Sequence, residues 1–212
     1  MRPNYLQLIK ERIDSAAPSS VFVPSDFFDI TRASGVNMCL KRLLETGDLY
    51  RLSRGIFVKP RYSTVLESII PPRANDIAQA IARNYGWTVI PFGDTALNTL
   101  GLSTQVPAVW NYVSDGPYKV YAIDGRIIKF RHTDLKNELI GLSYKLALVI
   151  QAIKAIGKDK ITQHEVRLLS MRLSPEEKKT LLLESQRVTA WVYEVIKKIC
   201  LEDENETTCN LG

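Results

Sequence analysis

Cysteine and histidine are scarce in this chain, and their scarcity removes several classes of function. Three cysteines, Cys39, Cys200 and Cys209, are too few and too scattered to frame a disulfide scaffold or a zinc cluster. The two histidines, His132 and His164, have no second histidine, paired cysteine or acidic cluster beside them. Each reads as a surface or structural residue. No glycine-rich phosphate loop follows a strand, and no G-x-S-x-G elbow occurs. No apolar run approaches the roughly 18 residues that a membrane span needs. The opening residues "MRPNYLQLIKERID" carry charges at helical spacing in place of an apolar signal segment. These absences point to a cytoplasmic protein that is not an enzyme and has no cofactor, no metal and no membrane partner.

What the chain does have is apolar content of 45% over 212 residues, ample for a core in one large domain or two small ones. The net charge of +5 is unevenly placed. Residues 1–61 hold ten Lys and Arg against six Asp and Glu, whereas the rest holds eighteen against seventeen. The basic excess therefore lies on the first sixty residues, as a footprint for a polyanion would require.

Within "NYLQLIKERIDSA" (4–16), Leu6, Ile9 and Ile13 fall on one face of an amphipathic helix. In "VFVPSDFFDI", Ser25 is expected to cap a short second helix, with Asp26 in its first turn. Ser34 is expected to cap a third helix, whose apolar stripe is Val36, Leu40, Leu43 and Leu44 and whose stop is Gly47. Asn37, Lys41 and Arg42 project from its other side. "LYRL", the turn "SRG" and "IFVKP" then form a hairpin. Three helices followed by a basic hairpin is the order of a winged helix-turn-helix, in which the third helix enters the major groove. Amphipathic helices also carry Lys and Arg on the wet side without touching DNA. The combination of a capped turn, a basic third helix and an arginine at the hairpin tip favours the DNA-binding reading. Its expected contacts are Thr31, Arg32 and Ser34 in the turn and cap, Asn37, Lys41 and Arg42 on the helix, and Arg51, Arg54 and Lys59 on the wing.

Pro71-Pro72 marks a boundary after the mixed segment "RYSTVLESII". Beyond it, "RANDIAQAIARNYG" reads as a helix stopped by Gly86, "WTVIPFG" as a buried strand, and "DTALNTLG" as a short helix capped by Asp94 and ended by Gly101. "AVWNYVS", "YKVYAID" and "RIIKFRH" read as three strands, with Asp115-Gly116 and Asp124-Gly125 at two hairpin turns. Helical period follows in "KNELIGLSYKLALVIQAIKAIG", "TQHEVRLLSMRL", "SPEEKKTLLLESQRV" and "TAWVYEVIKKIC". Ser174-Pro175 marks a clean helix start. The expected fold class is α+β: a winged helix-turn-helix over residues 1–62 and a mixed α/β domain with a helical C-terminal bundle over 63–200. The polar, acidic stretch 201–212 is expected to be a disordered tail.

One segment, "PFGDTALNTLGLSTQVPAVWNYVSDG", is dense in neutral polar groups. Asp94, Asn98, Ser103, Thr104 and Gln105 either bind a partner or satisfy backbone groups of their own loop.

Two of these motifs resemble a known family. "GDLYRLSRGIFVKP" is similar to the wing of the AbiEi-type antitoxins of type IV toxin–antitoxin systems, and "PFGDTALNTLGLSTQVP" resembles a segment of their antitoxin domain. Together the matches cover roughly residues 5 to 155, in the expected order. The resemblance implies an N-terminal winged helix that represses its own operon by binding inverted repeats in double-stranded promoter DNA. It implies a C-terminal domain that neutralises a cognate nucleotidyltransferase toxin, directly or indirectly. The cluster from Asp94 to Gln105 is the candidate for that second role. The alternative is a stand-alone winged-helix transcriptional regulator whose C-terminal domain senses a ligand or dimerises. A third reading, a C-terminal phosphotransferase acting on the toxin, lacks a phosphate loop to support it.

Overall fold

A computed structural model of the chain describes residues 4–133 and 142–209, with side chains through Leu201. The fold is mixed α and β. Helix α1 (Tyr5–Ser15) is capped by Asn4, whose side chain accepts the Gln7 amide at 3.2 Å, and it buries Ile9 and Ile13. Strand β1 (Val21–Phe22) leads into a single 3₁₀ turn, Pro24–Phe27. The expected second α-helix is thus only one turn. Val23, rather than Ser25, is its cap, and Pro24 opens it. The Asp26 carboxylate closes the turn by accepting the Val23 amide at 3.0 Å.

Helix α2 (Ala33–Glu45) follows, then strands β2 (Tyr50–Ser53) and β3 (Ile56–Val58). They form an antiparallel sheet of order β1-β3-β2, in which Val21 faces Val58 and Tyr50 faces Val58 from the other side. Ile9, Ile13, Phe22, Phe27, Val36, Leu40, Leu43, Leu49 and Phe57 make one core beneath these elements. A small hairpin follows, β4 (Tyr62–Ser63) and β5 (Ser68–Ile69).

Helix α3 (Ala74–Tyr85) ends at Gly86 in the left-handed region (φ 68°), as its sequence predicts. Arg83 near its C-terminus grips Asp26 (2.9 and 3.1 Å) and the Val21 carbonyl (2.9 Å). Two compact units result: the chain up to Val89 with Val120–Ile128, and Ile90–Lys119 with the chain from Lys129 onward. The first unit runs past the expected boundary after residue 62, because α3 is fastened to the 3₁₀ turn and β1.

Strand β6 (Val89–Pro91), helix α4 (Asp94–Thr99) and strands β7 (Val109–Ser114), β8 (Lys119–Ile123) and β9 (Arg126–His132) come next. The sheet order is β6-β7-β9-β8, so β7 and β8 are not a hairpin and Asp115-Gly116 is not a hairpin turn. Instead the Thr133 amide donates to the Ser114 carbonyl at 2.9 Å, and His132 Nδ1 donates to the Gly116 carbonyl at 2.8 Å. These bonds hold the end of β9 against β7. Asp124-Gly125 does form the expected tight turn, with φ of 52° and 70°.

Helices α5 (Tyr144–Ile156), α6 (Gln163–Ser170), α7 (Pro175–Glu184) and α8 (Ala190–Cys209) complete the second unit. The expected start of α5 at Lys136 lies outside the described residues. Leu146, Val149, Ile150 and Ile153 of α5 centre a core joined by Leu169, Leu181, Val192, Ile196 and Ile199. Helix α8 continues through Leu201 to Cys209, so this part of the expected tail is helical, in keeping with its glutamates. Among the described residues no helix is long and apolar enough to cross a membrane.

Candidate nucleic-acid interface

Helix α2 buries Val36, Cys39, Leu40 and Leu43, at i, i+3, i+4 and i+7. Cys39 takes the place expected for Leu44, which is half-buried. The opposite face exposes Ser34, Asn37, Met38, Lys41, Arg42 and Glu45. Ser34 is not the cap. Arg32 holds that position with extended backbone (φ −62°, ψ 157°), makes no side-chain cap bond, and accepts the Val36 amide on its carbonyl at 3.1 Å. Gly35 leaves room for Thr31 to fold closely over the first turn, since a Cβ there would lie 2.9 Å from Thr31 Oγ1. At the other end, Gly47 (φ 79°) turns the chain toward β2.

Two cations are committed to holding this arrangement. Arg12 donates to both Asp29 carboxylate oxygens (2.8 and 2.6 Å) and to the Asp26 carbonyl (2.6 Å), fixing α1 against the 3₁₀ turn. Lys10 pairs with Asp48, which also accepts the Thr46 hydroxyl at 2.5 Å. Lys10 first and Thr46 second hold the Asp48 carboxyl below its ordinary range.

Lys59, expected as a phosphate contact, is committed as well. Strand β3 stops at Val58, and the Lys59 ammonium donates to the carbonyls of Asp14 and Ala16, both at 2.8 Å. It caps the negative end of α1. The remaining expected cations face solvent. Lys41 lies 3.9 Å from Glu45 and is 76% exposed. Arg32 and Arg42 are exposed on α2. Arg51 lies over the Phe57 ring at 5.7 Å, and Arg54 is exposed at the β2–β3 turn beside Gly55 (φ 75°). The unit therefore presents a cationic and amide-bearing helix face together with an arginine-tipped hairpin.

Met38 did not figure among the expected contacts, yet it is 57% exposed on this face. The spacing that selects Lys41 also selects Met38, but its apolar character masks it in the sequence.

A cleft of about 610 Å³ also opens in this unit, lined in part by Ser19, Ser20, Arg61, Arg73, Asp76 and the Asp26–Arg83 pair. Three arginines (Arg61, Arg73, Arg83) and two aspartates (Asp26, Asp76) line it.

In the second unit the candidate cluster does not converge on a site. Asn98 Nδ2 donates to the Gln105 carbonyl (2.9 Å) and the Ser103 carbonyl (3.5 Å), and Ser103 Oγ accepts the Gln105 amide (3.2 Å). These groups fasten their own loop. Asp94 is the first residue of α4, not its cap, which is Gly93 (φ 61°). The side chains of Asp94, Thr104 and Gln105 are exposed.

A family model described as a family of unknown function (DUF6088) matches residues 8–181. No curated protein matches the chain.

Proposed function

We propose that this chain, which belongs to the DUF6088 family of unknown function, is a DNA-binding transcriptional regulator whose N-terminal unit acts as a winged helix-turn-helix. The observation that carries this reading is one arrangement: helix, strand, turn, helix and hairpin closed by a β1-β3-β2 sheet, with the exposed face of α2 holding Lys41, Arg42 and the Asn37 amide toward solvent. In this reading α2 enters the major groove and the β2–β3 hairpin is the wing, with Arg54 on the flanking backbone. Arg32, Lys41, Arg42 and Arg54 meet phosphate, whereas Ser34 and Asn37 stand where base edges lie.

Lys41→Ala combined with Arg54→Ala is expected to weaken binding to the chain's own promoter duplex. The slope of log affinity against log salt should fall by about two, roughly one per lost phosphate contact. An unchanged slope in gel-shift titrations across a salt series would remove these two residues from the interface.

The resemblance to AbiEi-type antitoxins extends the proposal to the second unit, which would neutralise a nucleotidyltransferase toxin. Growth rescue on co-expression with the product of the adjacent gene tests this half. Failure of rescue with DNA binding intact would leave a stand-alone regulator.

A further inference from the structure

We infer that Met38 and Asn37 together select a site containing adjacent A·T pairs, with Met38 reading the thymine methyl group and Asn37 the adenine edge. The inference rests on the DNA-binding reading above and names the base chemistry of that same interface.

Buried Val36, Cys39, Leu40 and Leu43 define the inward side of α2. At about 100° per residue, Ser34, Met38, Lys41 and Glu45 fall within roughly 30° of the line opposite that stripe, while Asn37 and Arg42 flank it. Met38 is therefore near the centre of the outward face, one turn from Ser34 and beside Lys41. It is 57% exposed and belongs neither to the α1–α2 core nor to the apolar residues packed around it. Neighbouring outward positions on this helix are Ser, Asn, Lys, Arg and Glu, so the single apolar side chain stands alone among polar ones.

In the major groove the thymine C5 methyl is the apolar feature that distinguishes one base pair from the others. A flexible thioether can reach and cover it, because methionine adapts its three torsions to irregular apolar surfaces. Asn37 is exposed, and its amide suits the adjacent donor–acceptor pair at N6 and N7 of adenine. Lysine and arginine alongside supply phosphate affinity but little discrimination of this kind.

The test uses the full-length protein and duplexes recovered from a random-sequence library by repeated selection. In a recovered duplex each thymine is replaced in turn by deoxyuridine, which removes only the methyl group, and affinity is read by fluorescence anisotropy. At one thymine the replacement is expected to weaken the unsubstituted protein by about fourfold, the effect of one buried methyl. Met38→Ala and Met38→Gln should be indifferent to the same replacement, and circular dichroism should confirm their folding. At a neighbouring adenine, 7-deazaadenine should weaken the unsubstituted protein but not Asn37→Ala. If uracil affects the unsubstituted protein and both Met38 variants equally, or affects none of them, the inference is overturned while DNA binding stands. If no duplex is recovered, the DNA-binding reading fails and this inference fails with it.

Discussion

Lys59 donates to two carbonyls at the end of α1, one of them 45 positions away in sequence. Its type and its place after a basic hairpin suggest phosphate, whereas its geometry is that of a cap. Lys59→Met is therefore expected to lower stability by about 1 kcal/mol, after allowing for partial exposure of the ammonium. Chemical denaturation should show this, and the salt slope of DNA binding should stay unchanged. Asn98 follows the same logic, since its amide closes the 98–105 loop and gives that loop its shape. For both residues the side-chain chemistry was legible in the sequence but the partner was not. A backbone carbonyl leaves no mark in the sequence to show which side chain will reach it. Met38 is the converse case: its spacing was legible, and its apolar character hid the meaning.

Helix α7 shows how an element can be read locally with success. Ser174-Pro175-Glu176-Glu177 predicts its start, and there the Ser174 hydroxyl accepts the Glu177 amide while Glu177 accepts the Ser174 amide at 2.8 Å. Glu177 also pairs with Lys145 of α5 at 2.6 Å. Lys145 first, and the Ser174 amide second, hold its carboxyl below the ordinary 4.5. A carboxyl lowered by folding contributes stability that is present above its unfolded pKa and lost as pH falls through its folded one. Glu177→Gln should therefore melt below the unsubstituted protein near neutral pH, and the two should converge as pH falls well under 4.5, read by circular dichroism melts. Strand pairing was less legible. Asp124-Gly125 makes the turn its residues favour, but Asp115-Gly116 carries the same dipeptide without making a hairpin. The difference is that β9, not β8, lies beside β7, and a turn dipeptide cannot encode a choice among three strands.

For the molecule as a whole, the mixed α and β character was legible, but the place where the first unit ends was not. Pro71-Pro72 looks like a boundary because proline breaks elements. Arg83 overrides it by binding Asp26, 57 positions back. A fragment of residues 1–62 would lack α3 and leave that side of β1 and the 3₁₀ turn uncovered. At about 60 residues a domain is already marginal. The fragment is expected to show poor amide dispersion in proton NMR spectra, whereas the full chain should show a well-dispersed spectrum. Equal dispersion would mean that the first three helical elements and the hairpin fold without α3.

The discontinuity of the first unit bears on its birth at the ribosome. Val120–Ile128 belongs with the residues before Val89, and Arg126 donates to the Pro72 carbonyl at 2.5 Å. During synthesis at about 5–20 residues per second, α1, α2 and the β2–β3 hairpin emerge well before this closing segment. For some seconds the nascent chain holds α1 to α3 without the hairpin that finishes the unit. The protein thus completes its first unit only after translation has passed into the second, which ties the maturation of the first to the making of the second.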